Sequence, residues 1–489
     1  MGLKERISNT TRKSWIWFIV WTVITIFFTI WIGSPWVLLL LILFFDIYIT
    51  RFIPWDFWKK SKNKSVRTVM EWIDAIIFAL VAVYIINIFF FQNYQIPTPS
   101  LEKSLRVGDF LAVSKLSYGP RTPMTPLSFP LAQHTMPIGG GKSYIEKPQW
   151  KYHRLKGFGQ VKRNDIVVFN YPAGDTVALN MQGVDFYTLA RYNANGSAGV
   201  RSDKNTYGEI VYRPVDRREN YVKRCIGLPG ETIQLRNDSV FIDGKHIPNP
   251  RLSQHNFMIH TDGTVISPEL FEELGVNIAD FTTPNAYGQT VTKIQDLTGV
   301  DSLSMAQFGL TSHDGKNGAI YFNIPMTQKM VETLQTKPFV WEVIKEKEQP
   351  GMTYYYPLYY PTNWTRDTYG PLWIPKKGAT IQFDTDVPFK VAAYERCIKN
   401  YEGNEFAYLD GKVFINGQQA DSYTFKYDYY FMMGDNRHNS ADSRSWGFVP
   451  EDHIVGQPTL IWLSIEKDKK WFHGKIRWNR IFRSAKVKA

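Results

Sequence analysis

The sequence predicts a mainly β protein, with N-terminal transmembrane helices followed by an antiparallel β body that carries a large inserted second lobe. Three observations predict it. Apolar residues crowd the first ninety positions. Beyond Gly108, short alternating runs are punctuated by glycine and proline. Asp243-Gly244 and Asn416-Gly417 supply the tight turns that join neighbouring antiparallel strands.

Trp15 to Ile32 is apolar and of spanning length, interrupted only by threonines. Pro35 to Ile49 is a second, shorter run broken late by Asp46, and Gly33-Ser34-Pro35 between them predicts a hairpin. The third run extends from about Ile73 to Phe91. No small-residue cleavage pattern follows the first run, which disfavours a signal peptide. The N-terminal tip and the segment Lys59 to Arg67 are both basic, so both are expected in the cytoplasm. Parity then sends the third helix outward and places Ser100 on the far side.

The expected organisation is a membrane hairpin and basic loop over 1–68 and a third helix over 69–92. A β core follows in two parts, 93–246 and 390–465, separated by an inserted lobe over 247–389 and closed by a basic tail, 466–489. Strands are expected at Phe110 to Ser114, Asp165 to Asn170, Glu231 to Leu235 and Ser239 to Asp243; helices are expected at Ser267 to Leu274 and Met326 to Lys337. Pro120 to Lys162 reads as an ordered surface excursion. An internal echo links Lys223-Arg-Cys-Ile with Glu395-Arg-Cys-Ile, and Val240-Phe-Ile-Asp-Gly with Val413-Phe-Ile-Asn-Gly. It is either a duplicated strand-turn-strand element or a chance match between β-rich segments. If the echoed strands are adjacent, Cys225 and Cys397 face the choice between a disulfide and two buried thiols.

The net charge of +12 resides largely at Lys4, Arg6, Arg12 and Lys13, between Arg51 and Arg67, and in the tail from Lys467 to Lys488. Those positions flank apolar runs or end the chain, so they point to a lipid surface rather than to nucleic acid. Two cysteines exclude an all-cysteine zinc site and a disulfide scaffold. No His-Glu-x-x-His, Walker loop or dinucleotide fingerprint occurs, so no metal or cofactor is expected.

Ser100 follows the third apolar run by about nine residues, in Ile96-Pro-Thr-Pro-Ser100. The two prolines favour a stiff, extended backbone there. A serine hydroxyl needs a base to become a nucleophile. None of the nine histidines stands in a motif with aspartate and a Gly-rich elbow, and no Gly-x-Ser-x-Gly is present. Lysine is the other option once desolvation strips its proton. Lys223 follows Tyr221-Val222 on an expected strand, where alternation sends Lys223 and Arg224 to opposite faces, one toward the core and one toward solvent. An exposed strand lysine is the ordinary alternative. A third segment, Gly434-Asp-Asn-Arg-His-Asn-Ser440-Ala-Asp442-Ser-Arg444, is too dense in small polar and paired charged residues for a plain loop.

Together the three segments resemble the signature boxes of bacterial type I signal peptidases, a Ser-Lys endopeptidase family; Gly108-Asp109 and Asp165 to Phe169 fall where that family has strand boxes. The resemblance makes the β body a catalytic domain, with Ser100 as nucleophile and Lys223 as general base. It implies an oxyanion hole from the Ser100 amide and the Thr98 hydroxyl, Ser440 holding the Lys223 amine, and Asp442 with Arg444 bracing their loop. Tyr94, Ile96, Pro97, Leu101, Leu105, Tyr221 and Val222 match positions lining the family's pockets for small side chains. It further implies a multi-pass protein of the bacterial inner membrane, its catalytic domain on the periplasmic side. The partners implied are signal peptides of exported preproteins, membrane lipids and the secretion translocon. Departures are Leu101 for the usual methionine, Lys103 for a common proline, Asn164 for a glycine, and the long insert. A specialised Ser-Lys peptidase with one dedicated substrate and a non-catalytic membrane scaffold are the competing readings.

Overall fold

A computed structural model describes all residues except 1–2, 173–175, 183, 285–289, 308, 352–354, 359, 468 and 487–489. Lys488, in the basic tail, therefore lies outside the described residues. The chain divides into two compact units, one of 1–92 with 115–160 and one of 93–114 with 161–489.

In the first unit, Arg12–Ile32 and Lys64–Phe89 are, among the described residues, the two helices long and apolar enough to cross a membrane. Thr11 caps the former by accepting the Ser14 amide. Gly33 ends it at φ 70, a left-handed turn that glycine adopts freely. The chain then folds back through Pro35–Thr50, a shorter apolar helix that is α-helical only at Leu40–Phe45. Trp21 stacks on Phe44 at 4.9 Å and donates its indole hydrogen to Tyr48 Oη at 3.1 Å, closing the hairpin. Arg6 donates to the carbonyls of Thr50 and Arg51, which brings the basic tip to the hairpin's far end. The excursion after Gly119 packs within this unit: Trp31 donates to Lys156 O and Tyr84 to Pro126 O.

The second unit is built on antiparallel sheets. Its main sheet runs in the order Asp109–Ser114, Ile454–Ser464, Ile166–Asn170, Asn220–Gly227, Tyr429–Met433, Val449–Pro450. All five residues of Ile166–Asn170 are buried, as a central strand demands. The inserted lobe has its own sheet, Ile294–Asp296, Ala319–Met326, His255–Thr261, Val340–Lys345, and its own core around Phe271, Tyr321, Ile324 and Leu334. Both expected helices form there, as Pro268–Leu274 and Gln328–Gln335. Ser267 caps the first through the Leu270 amide, and Gly275 ends it at φ 85.

The echo is half structural. Ser239–Ile242 and Lys412–Ile415 both enter a tight turn and pair with a following short strand. The earlier blocks differ: Lys223 to Ile226 lie on a strand, whereas Glu395 and Arg396 end the helix Val387–Arg396. Pro388 at its first turn and buried Val391, Tyr394 and Ile398 at helical spacing override the resemblance to a strand. Adjacent echoed strands therefore do not exist, and Cys225 and Cys397 are free, buried thiols.

Candidate active site

Ser100 sits in a single turn, Pro99–Leu101, held from both ends. Upstream, the Ile96 amide donates to Asp109 O and the Gly108 amide to Ile96 O, tying the extended segment to the sheet edge. Downstream, Leu101 and Leu105 are fully buried and anchor the turn in the core. The Asn436 amide donates to Ser100 O at 3.1 Å, so the loop after Tyr429–Met433 grips the serine's own backbone.

Lys223 reaches this serine across the sheet. Val167 is its register partner on one side. Its side chain is buried, and Nζ lies 2.7 Å from Ser100 Oγ. Burial pushes the amine down to about 8, against the pull of the Asp442 and Asp435 carboxylates. An unfolded lysine titrates near 10.4. Between those values the unfolded chain binds more protons, so this group's contribution to stability rises as pH climbs from about 8. At pH 7 roughly one amine in ten is neutral, against fewer than about one in a thousand for a free lysine.

The expectation that one of Lys223 and Arg224 faces the core and the other solvent is corrected, because both are buried. The Arg224 guanidinium forks onto Asp435, with Nε and Nη2 each 2.7 Å from a carboxylate oxygen. Ser104 donates to the same carboxylate at 2.6 Å. A bidentate, fully hydrogen-bonded partner is what permits a charge at zero exposure. This knot, absent from the expected site, fastens the lysine strand, the serine turn and the last loop together. Its signal was in the sequence, as an arginine beside the candidate base and an unassigned aspartate in the polar loop.

Asp442 and Arg444 form a second buried pair, at 2.9 and 2.8 Å. Burial opposes the charge on Asp442, yet the Arg444 guanidinium holds its carboxyl below the usual range. Asp442 also accepts the Gly434 amide, and Arg444 donates to Arg437 O and Arg366 O. Ser440 packs against Gly434, where an added Cβ would come within 2.3 Å of its hydroxyl. That hydroxyl donates to Ala441 O at 3.4 Å, and among the described residues no hydrogen bond joins it to Lys223.

Of the expected pocket residues, Ile96, Leu101 and Leu105 are core, with Tyr94 and Val222 packed on the same cluster. Tyr221 stacks on Tyr171 at 4.5 Å, and the Lys223 amine lies 5.7 Å from its ring centre. Pro97 and Thr98 are exposed beside the serine, and Thr98 is extended at φ −129, ψ 154. Asp238, Asp367 and His438 bring potential metal-ligand atoms together. However, His438 Nδ1 accepts the Asn256 amide, so Nε2 carries the proton it shares with Asp367 at 2.9 Å. That tautomer takes the ligand nitrogen out of play and makes the cluster a hydrogen-bonded brace.

A family model described as signal peptidase, peptidase S26, matches residues 69–295 and 412–463, more than half of the chain. The chain belongs to that family. Signal peptidase I of Haemophilus influenzae is 24% identical over 428 residues, covering 88% of this chain and 79% of that protein. Signal peptidase I of Buchnera aphidicola from Acyrthosiphon pisum is 24% identical over 425 residues, 86% of this chain and 83% of its own. Signal peptidase I of Bacillus licheniformis matches 197 residues at 25% identity, 40% of this chain and 62% of that one. The protein is thus a serine endopeptidase acting on signal peptides of exported preproteins. The stretch between the two matched segments, 296–411, includes much of the inserted lobe and the helix bearing Glu395.

Proposed function

We propose that Ser100 and Lys223 are the catalytic dyad of a membrane-anchored signal peptidase that cuts preproteins at small-x-small sites. The observation that carries this reading is the 2.7 Å contact between a buried, proton-poor amine and the Ser100 hydroxyl. Neutral Lys223 takes the serine proton as Oγ attacks the scissile carbonyl carbon. The oxyanion is received by the Ser100 amide and the Thr98 hydroxyl, where such preorganised donors contribute about 3–4 kcal/mol each. Collapse of the tetrahedral intermediate breaks the peptide bond, and the Lys223 ammonium returns its proton to the departing amine. Lys223, neutral again, activates the water that hydrolyses the acyl-enzyme. Ser440 turns its hydroxyl from Ala441 to steady the amine, while Asp442 and Arg444 hold the loop that carries it. Tyr94, Ile96, Pro97, Leu101, Leu105, Tyr221 and Val222 shape pockets that admit small side chains and exclude large ones.

The same proposal puts the catalytic unit on the periplasmic side of the inner membrane. Its support is the basic N-terminal tip meeting the far end of the hairpin, which matches two basic segments on one side. Pro35–Thr50 at about 24 Å is short for a core of about 30 Å, so the bilayer thins around it. Basic flanks meet anionic lipid headgroups, and the translocon is the neighbour that delivers substrate. Cleavage of a preprotein by purified Ser100→Ala and Lys223→Ala variants is the test. Both are expected to be inactive while folded, and near-normal turnover by either overturns the dyad.

A further inference from the structure

Beside the lobe's sheet lies a cavity of about 650 Å³, within the size range of ligand-binding pockets. Among the described residues, two polar atoms on its lining residues have no hydrogen-bond partner, Asn249 Oδ1 and Ser253 Oγ, and a third, His255 Nε2, makes no hydrogen bond and meets only the Asp238 carboxylate at 3.5 Å. Ser253 is only 7% exposed, so its hydroxyl has left water without gaining a partner. Buried polar atoms are rarely left in that condition, and two of them on the lining of one cavity, with the weakly held His255 Nε2 beside them, call for a ligand that satisfies them.

Their chemistry narrows the ligand. Burial, with Arg437 and His438 adding to it, holds His255 down at about 3, so its imidazole is neutral at any working pH. Lys345 on the same wall is already paired with Asp238. The buried unsatisfied groups are thus neutral donors and acceptors, set beside apolar Phe257 and Val331, with the exposed Arg251 completing the lining. That combination suits a polypeptide backbone and small side chains better than a phosphate or a metal ion.

Position narrows it further. Gln254, between Ser253 and His255, donates its amide to Asp435 O and accepts the Arg437 amide, each at 2.8 Å. The residue between those two, Asn436, holds Ser100 O. Two steps of about 4.8 Å, the spacing of hydrogen-bonded neighbours, place Gln254 roughly 10 Å from the serine. An extended peptide covers that with about three residues. The small-residue pockets ahead of the cut are assigned to Tyr94, Ile96, Leu101, Leu105, Tyr221 and Val222, which leaves the chain beyond the cut for this side.

We propose that the cavity seats an extended segment of the preprotein a few residues beyond the scissile bond. The inference rests on Ser100 being the nucleophile. Its test compares a full preprotein with a peptide carrying the same signal sequence but ending two residues after the cut. Gln335→Trp plugs the cavity from an exposed wall position, and Ser253→Ala removes one buried hydroxyl. Gln335→Trp is expected to raise KM for the preprotein about tenfold with kcat unchanged. Ser253→Ala should do the same more weakly, and neither variant should change kcat/KM for the short peptide. Equal losses on both substrates, or no loss on either, overturn the cavity's role. Ser100→Ala assayed on the short peptide is a separate control, since turnover there sinks the dyad whatever the cavity does.

Discussion

Two segments of this chain share Arg-Cys-Ile and almost nothing else. Lys223 to Ile226 lie on a central strand, and Glu395 to Ile398 run off the end of a helix into a π-turn. Both cysteines are buried and free. The arginines part company in their partners. Arg224 forks onto the buried Asp435 carboxylate, whereas Arg396 donates to Trp446 O and lies near the faces of Tyr187 and Tyr356. The residue before each arginine differs most: Lys223 points at Ser100, and Glu395 points outward toward Lys399 at 3.7 Å. A tetrapeptide becomes half of a site only when long-range packing supplies the other half.

The largest expected effect breaks the first segment outright. Lys223→Met keeps the side chain's volume and removes its amine, and preprotein cleavage should fall by about 10³-fold or more while the unfolding transition persists. Next comes Arg224→Met, which strands Asp435 in the core. It should lose about 3–5 kcal/mol in denaturant unfolding, and Arg396→Met should lose less because no carboxylate is orphaned in the same way. Gly434→Ala sharpens the account of the loop, since its Cβ would fall 2.7 Å from Ser100 O and force a shift. A cost of about 1–3 kcal/mol with reduced kcat is expected, read from parallel melting and cleavage assays. Glu395→Ala is the smallest change. Its pair with Lys399 is exposed, so stability should stay within about 0.5 kcal/mol and cleavage should be untouched.

What was legible in the sequence was local. The serine turn, the lysine after Tyr221-Val222 and the loop from Gly434 to Arg444 each announce themselves through side-chain chemistry within a few residues. The two lobe helices were legible from their apolar spacing and, at Ser267, from a cap. The hidden parts depend on partners far along the chain. Arg224 finds Asp435 211 residues away, so alternation alone cannot show that both it and Lys223 are buried. The helix over Glu395 is hidden because β-type composition in four residues outweighs the proline and apolar spacing on either side of them. Gln254, which ties the lobe to the active loop, carries no local signal at all.

The most direct test of the central claim, a neutral lysine activating Ser100, is the pH dependence of kcat/KM for preprotein cleavage. The amine must lose its proton before it can act as base, so activity should rise about tenfold per pH unit on the acid side, bend near 8 and level off above it. A profile that is flat across that range, or one that keeps climbing toward the pKa of a free lysine near 10.4, would contradict the claim.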